Sequence, residues 1–192
     1  GLGDVYKRQM LAAKNIATSD ITYAIPRRAW SNGTVYDMYD DNISSSNTTT
    51  SGASNLYDST FYFMTSDYRV YKVLDNNAGA AYSGAEPTST STSPFALGGY
   101  VLKYMYAITT SEAAKFLTSD FIPVSNDSTI SAAAVDGKIE SIKVTAGTGY
   151  TNGTYYAAVY GDGTSAGTSS GAIIRITVAI LMIAPDDVPA LV

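Results

Sequence analysis

Cysteine and histidine are both missing from the 192 residues of this chain. Without cysteine there is no disulfide framework, no thiolate nucleophile and no Cys-ligated metal. Without histidine the commonest general base, the Ser-His-Asp triad and the usual zinc ligand are absent. Charge is scarce as well, at 15% of residues against about 25% in an average soluble domain. The apolar run Ala179 to Ala184 is cut by Pro185-Asp186-Asp187 and falls far short of the ~20 residues that span a bilayer. The formal net charge of −5 gives no global pull toward a phosphate backbone. Neither nucleic acid nor membrane is expected as a partner, and no metal or other cofactor is expected.

Uncharged polarity is abundant instead. Ser, Thr and Asn are frequent, and 16 Tyr and 16 Gly stand beside a single Trp. Tyrosine and threonine suit a pleated surface and glycine suits tight turns, so the composition leans to β-structure.

At the start, GLGDVYKRQ resembles translated adapter read-through, and residues 1–9 are set aside as non-native. Lys14 and Asn15 interrupt the apolar residues after Met10, so a secretory signal is not expected. Asp20 to Trp30 reads as extended or turning, because Pro26 pushes Ile25 out of the helical region. Ser44 to Ser54 reads as a solvated loop with nothing to give a core. Thr60–Thr65 and Arg69–Leu74 predict a hairpin around Ser66-Asp67, ended by Asp75-Asn76-Asn77. Gly84 to Pro94 reads as an extended surface crossing. Tyr100 to Ile108 alternates most cleanly, with Tyr100, Leu102, Tyr104 and Tyr106 on one core-facing side. Thr109 and Glu112 have capping-box spacing and open a two-turn helix, expected to dock through Phe116 and Leu117. Phe121-Ile122-Pro123-Val124 reads as an edge strand, since Pro123 cannot donate to a ladder.

The predicted division is residues 10–124 as the main β region, 125–136 as a linker, and 137–179 as a small Gly-rich antiparallel subdomain. Its three strands are Ile139–Val144, Thr154–Tyr160 and Ala172–Val178. Residues 180–192 read as a truncated tail, and the chain as a fragment.

Four constellations bear on chemistry. Asp37, Asp40, Asp41 and Asn42 supply oxygen ligands of the kind Ca²⁺ takes, but without EF-hand spacing, so a solvated acidic turn is expected. Gly161-Asp162-Gly163-Thr164 lacks the ending of a P-loop and reads as a hairpin turn. The 17 acidic residues leave room for a paired-carboxylate glycosidase, but the order of residues singles out no pair that would stand about 5–10 Å apart. Alternating tyrosines fit either half-buried strands or a sugar-stacking platform, which keeps a carbohydrate-binding tail adhesin as the alternative function. Arg27 and Arg28 beside Trp30 are weak as a nucleic-acid patch in an acidic chain. They are the residue types that anchor protein interfaces, and Arg27, Arg28 and Trp30 are the candidate interface.

Ile25-Pro26-Arg27-Arg28-Ala29-Trp30, Val70-Tyr71-Lys72-Val73-Leu74-Asp75, Gly99 through Ile108 and Phe121-Ile122-Pro123-Val124 occur here in the order found in one family. By these strings residues 25–124 resemble the baseplate wedge proteins of T4-like contractile-tailed phages, the product of gene eight, in its marine versions especially. The resemblance implies immunoglobulin-like β-sandwich layers, incomplete in this chain, and a homodimer inside each wedge. It also implies contacts with other wedge subunits, a place in the virion after assembly in the host cytoplasm, and no catalytic activity. Leu102 stands where the family often has Trp, and the family's segment before Ile25 is largely missing.

Overall fold

The computed structural model describes residues 15–136, 139, 142, 148–158 and 173–178. Two compact units divide the chain, Gly1–Lys143 and Val144–Val192. The described residues are mainly strands in antiparallel sheets, with two short α-helices.

In the first unit β1 is Ala24–Pro26, β2 Tyr62–Met64, β3 Arg69–Asp75, β4 Phe95–Leu97, β5 Tyr100–Ala107 and β6 Phe121–Pro123. The helices are α1, Thr110–Phe116, and α2, Ser128–Ala133. A four-stranded sheet runs in the order β2-β3-β5-β4, and β1 pairs with β6 as a separate ribbon. The β2–β3 hairpin forms where alternation predicts it, with Phe63 opposite Tyr71. Its loop is closed by the Thr65 N–H on the Arg69 carbonyl at 2.9 Å. Tyr68, at φ 64°, takes the left-handed position that usually falls to glycine in a three-residue loop. The β4–β5 hairpin turns through Gly98 and Gly99, both at positive φ, as a two-residue loop of the twist-matched kind requires.

Tyr100, Leu102, Tyr104 and Tyr106 are all buried, as the alternation of β5 predicts. They do not serve one face, however. Val70 pairs with Tyr106 and its neighbour Tyr71 pairs with Tyr104, so Met105 has no residue opposite it. Adjacent strand residues face opposite sides, so this bulge sends Tyr106 to the other side of the sheet. Tyr100, Leu102 and Tyr104 join Tyr36, Phe63, Tyr71, Val73 and Tyr82 in one cluster. Tyr106 joins Tyr62, Met64, Val70, Ile108 and Ile122 in a second.

A core this rich in tyrosine is tenable only if the hydroxyls find acceptors. Those of Tyr100, Tyr82 and Tyr71 donate to the carbonyls of Ala80, Ala85 and Ser89 at 2.6, 2.8 and 2.9 Å. The buried rings thus pin the long crossing that precedes β4. Burial pushes the Tyr71 and Tyr82 hydroxyls up to about 12. Tyr104, in ring contact with Tyr71 at 5.8 Å, is expected to cost about 3 kcal/mol or more on truncation to alanine. Urea unfolding measures it, and a loss within the ~0.5 kcal/mol of an exposed site would contradict the packing.

The capping box of α1 is formed: Thr109 Oγ1 accepts from Glu112 N at 3.2 Å, and Glu112 Oε2 accepts from Thr109 N at 2.8 Å. Leu117 docks as expected, but its companion in the second cluster is Ala113 and not Phe116. The segment read as a linker, residues 125–136, carries α2. Asp127 Oδ1 caps it, accepting from Thr129 N at 2.9 Å, and Ile130 packs on the first cluster.

In the second unit β7, Gly153–Ala158, and β8, Ile173–Val178, pair antiparallel with Tyr155 opposite Ile176. These are the second and third strands predicted there. The first, Ile139–Val144, lies outside the described residues except for Ile139 and Ile142. Residues 1–9, the Gly161–Thr164 turn and residues 180–192 also lie outside them.

Candidate interaction surface

β1 lies against β6 with Ile25 opposite Ile122 and Pro26 opposite Phe121. Beyond Pro26 the chain turns along the outer edge of β2. Met64 N donates to the Arg28 carbonyl at 2.7 Å, and Trp30 N donates to the Met64 carbonyl at 2.8 Å. An exposed edge is thereby covered, and the same main-chain bonds fix where the three candidate residues project.

They do not project together. Trp30 goes inward onto the first core cluster, edge-on to Tyr82 at 5.9 Å. Arg27 is exposed, with Nη1 donating to the Thr118 carbonyl at 3.0 Å. Arg28 is half-buried, and its Nη2 donates to the carbonyls of Tyr57 and Asp58 at 3.0 and 2.9 Å. Its guanidinium carbon lies 6.0 Å from the centre of the Tyr62 ring. The buried Arg28 Nε and Trp30 Nε1 have no hydrogen-bond partner among the described residues. Among those residues neither guanidinium makes an ion pair; the pairs present are Arg69–Asp67 and Lys115–Asp20.

Beside Arg28 a groove of about 310 Å³ opens between β1, the loop before β2 and the second core cluster. Ile25, Pro26, Leu56 and Tyr57 form its walls, Tyr62 and Tyr106 part of its floor, and its exposed lining is almost wholly apolar. Tyr57 is 64% exposed and Leu56 38%. The sequence reading passed over this feature. Leu56-Tyr57 is a large apolar pair in an otherwise polar loop, and that was the available signal.

The acidic segment behaves differently from expectation at one residue. Asp37 is not solvated but fully buried. Its carboxylate accepts from Ser51 N and Ser51 Oγ, both at 2.7 Å, from Thr60 N at 2.8 Å and from Ser59 Oγ at 3.1 Å. Burial by itself would raise this carboxyl, but the donors of Ser51 and Thr60 outweigh it and hold it below the ordinary carboxylate range. Asp40 is instead tied to Asn42 and Asn47, and Asp41 to Asn42. Among the described residues no three acidic groups converge as a metal site would need.

Comparison of the chain with protein-family models, with curated proteins and with solved structures returns no match.

Proposed function

We propose that this chain is a structural virion protein, a subunit of the baseplate wedge of a contractile phage tail. It acts through protein–protein contacts and carries out no catalysis. The observation that carries this reading is how the four resemblance strings pair. Ile25–Trp30 lies beside Phe121–Val124 as β1 against β6, and Val70–Asp75 lies beside Gly99–Ile108 as β3 against β5. Strings scattered over about half the chain therefore form two antiparallel pairs within one unit. In this reading the four-stranded sheet is one layer of an immunoglobulin-like sandwich, and the protein forms a homodimer within a wedge.

The glycan-binding alternative drew on the tyrosines of β5, and Tyr100, Tyr104 and Tyr106 are buried in the two core clusters. An adhesin would have to use other residues.

In vitro wedge assembly with subunits of a marine T4-like phage tests the proposal. The full chain is expected to join the wedge complex. The Arg27→Ala, Arg28→Ala double variant should fold but associate at least tenfold more weakly, which is about 1.4 kcal/mol. No association of the parent chain with any wedge subunit would overturn the reading.

A further inference from the structure

We infer that the groove beside Arg28 is a docking site for a segment of another protein chain that carries an aliphatic or aromatic anchor next to a carboxylate. This deepens the assembly reading, and rests on it only in taking the occupant to be another protein. Three observations carry it. First, the groove is concave, about 310 Å³ in volume and lined by carbon, with Leu56 and Tyr57 held out at its rim. That volume suits one or two apolar side chains entering from a partner, the anchor-in-pocket arrangement at the centre of specific interfaces.

Second, the charged residue that lines the groove is a cation, Lys72. Arg28 bonds to the carbonyl of Tyr57, a wall residue, and stands over the ring of Tyr62, a floor residue. Its Nη2 is spent on two neutral carbonyls. Arg27 follows Pro26 of the groove wall and likewise bonds only a carbonyl. Among the described residues no carboxylate lines the groove, although the chain as a whole carries a net charge of −5. Cations beside an apolar cleft in an acidic protein are complementary to a carboxylate, which accepts readily from a guanidinium or an ammonium.

Third, the site is rigid before binding. Main-chain bonds to Met64 fix residues 28–30, Pro26 limits the approach to them, and the Arg28 fork ties down the Tyr57 loop. Little ordering entropy is left for a partner to overcome.

The test selects a displayed random-peptide library on the immobilised full chain and measures the enriched peptides by fluorescence anisotropy. Enriched sequences should combine Leu, Phe or Tyr with Asp or Glu, and their affinity should fall as salt rises. Arg27→Glu with Tyr57→Ser, both exposed positions, should weaken them at least tenfold while the urea midpoint holds. Arg28→Lys, which keeps the charge but not the fork, should weaken them less than Arg28→Glu. Basic or purely polar consensus sequences, no enrichment, or binding indifferent to these variants would overturn the inference. Sedimentation of the chain alone supplies another arm: a dimer that Tyr57→Ser dissociates would put a second copy in the groove and overturn the hetero-partner assignment. Failure of wedge assembly with acidic peptides still bound would remove the baseplate reading and leave the groove standing.

Discussion

Replacing Asp37 with alanine is expected to destabilise the first unit by about 4 kcal/mol, the upper end of single-substitution effects. The carboxylate is fully buried and receives two backbone and two hydroxyl donors. Truncation leaves the N–H groups of Ser51 and Thr60 without acceptors, at about 1–3 kcal/mol each, and loses charge-assisted bonds besides. These donors come from the loop between Ser44 and Thr60, so Asp37 fastens that polar loop to the sheet. Asn76 adds a second fastening, donating to Thr50 Oγ1 at 3.1 Å and to the Tyr36 carbonyl at 3.0 Å. Asp37→Asn should cost less, because one acceptor oxygen remains, but its amide N–H₂ would face existing donors. The pH dependence follows from the lowered carboxyl. Its contribution is complete above the unfolded value of about 3.9 and is lost as pH falls through the lower folded value. Urea unfolding followed by the fluorescence of Trp30 measures both effects. A cost below about 1 kcal/mol, the ordinary range of a lone surface contact, would contradict this role.

Gly98→Ala is expected to be nearly as damaging, at about 3 kcal/mol, through left-handed strain together with overpacking. Gly98 has φ 62°, and a Cβ there would stand 2.5 to 2.8 Å from three ring carbons of Tyr82. That ring is fully buried and bonded through its hydroxyl to Ala85, so it has nowhere to withdraw. Gly33 provides the control: its φ is 79°, but nothing lies within 4 Å of an added Cβ. Gly33→Ala should therefore show only the backbone term, about 1 kcal/mol. Equal losses at the two sites by urea unfolding would show that Tyr82 is free to move.

Elements whose signal is local were legible in the sequence. The β2–β3 hairpin, β5 and α1 were read from alternation and a capping box, which depend on neighbours a few residues apart. The bulge at Met105 was not, because strict alternation carries no mark of a register slip made against another strand. β4 was missed because three residues after Pro94 are too few to alternate, though the Gly98-Gly99 pair was a usable turn signal. α2 was hidden in a stretch poor in apolar residues, where Asp127 as a cap was the only local clue. Asp37 was grouped with Asp40 and Asp41 by adjacency, but its partners lie 14 to 23 residues away. Arg27, Arg28 and Trp30 are adjacent in sequence, yet the backbone sends Trp30 inward, leaves Arg27 exposed and half-buries Arg28. The groove is built from β1, the Leu56-Tyr57 loop and β5, and no single stretch of sequence contains it.

Labelling purified virions from a host that carries this gene with antibody against the first unit addresses the central claim most directly. The account predicts label confined to the baseplate end of contractile tails. Virions without label, with the protein recovered instead from the host cell, would contradict it.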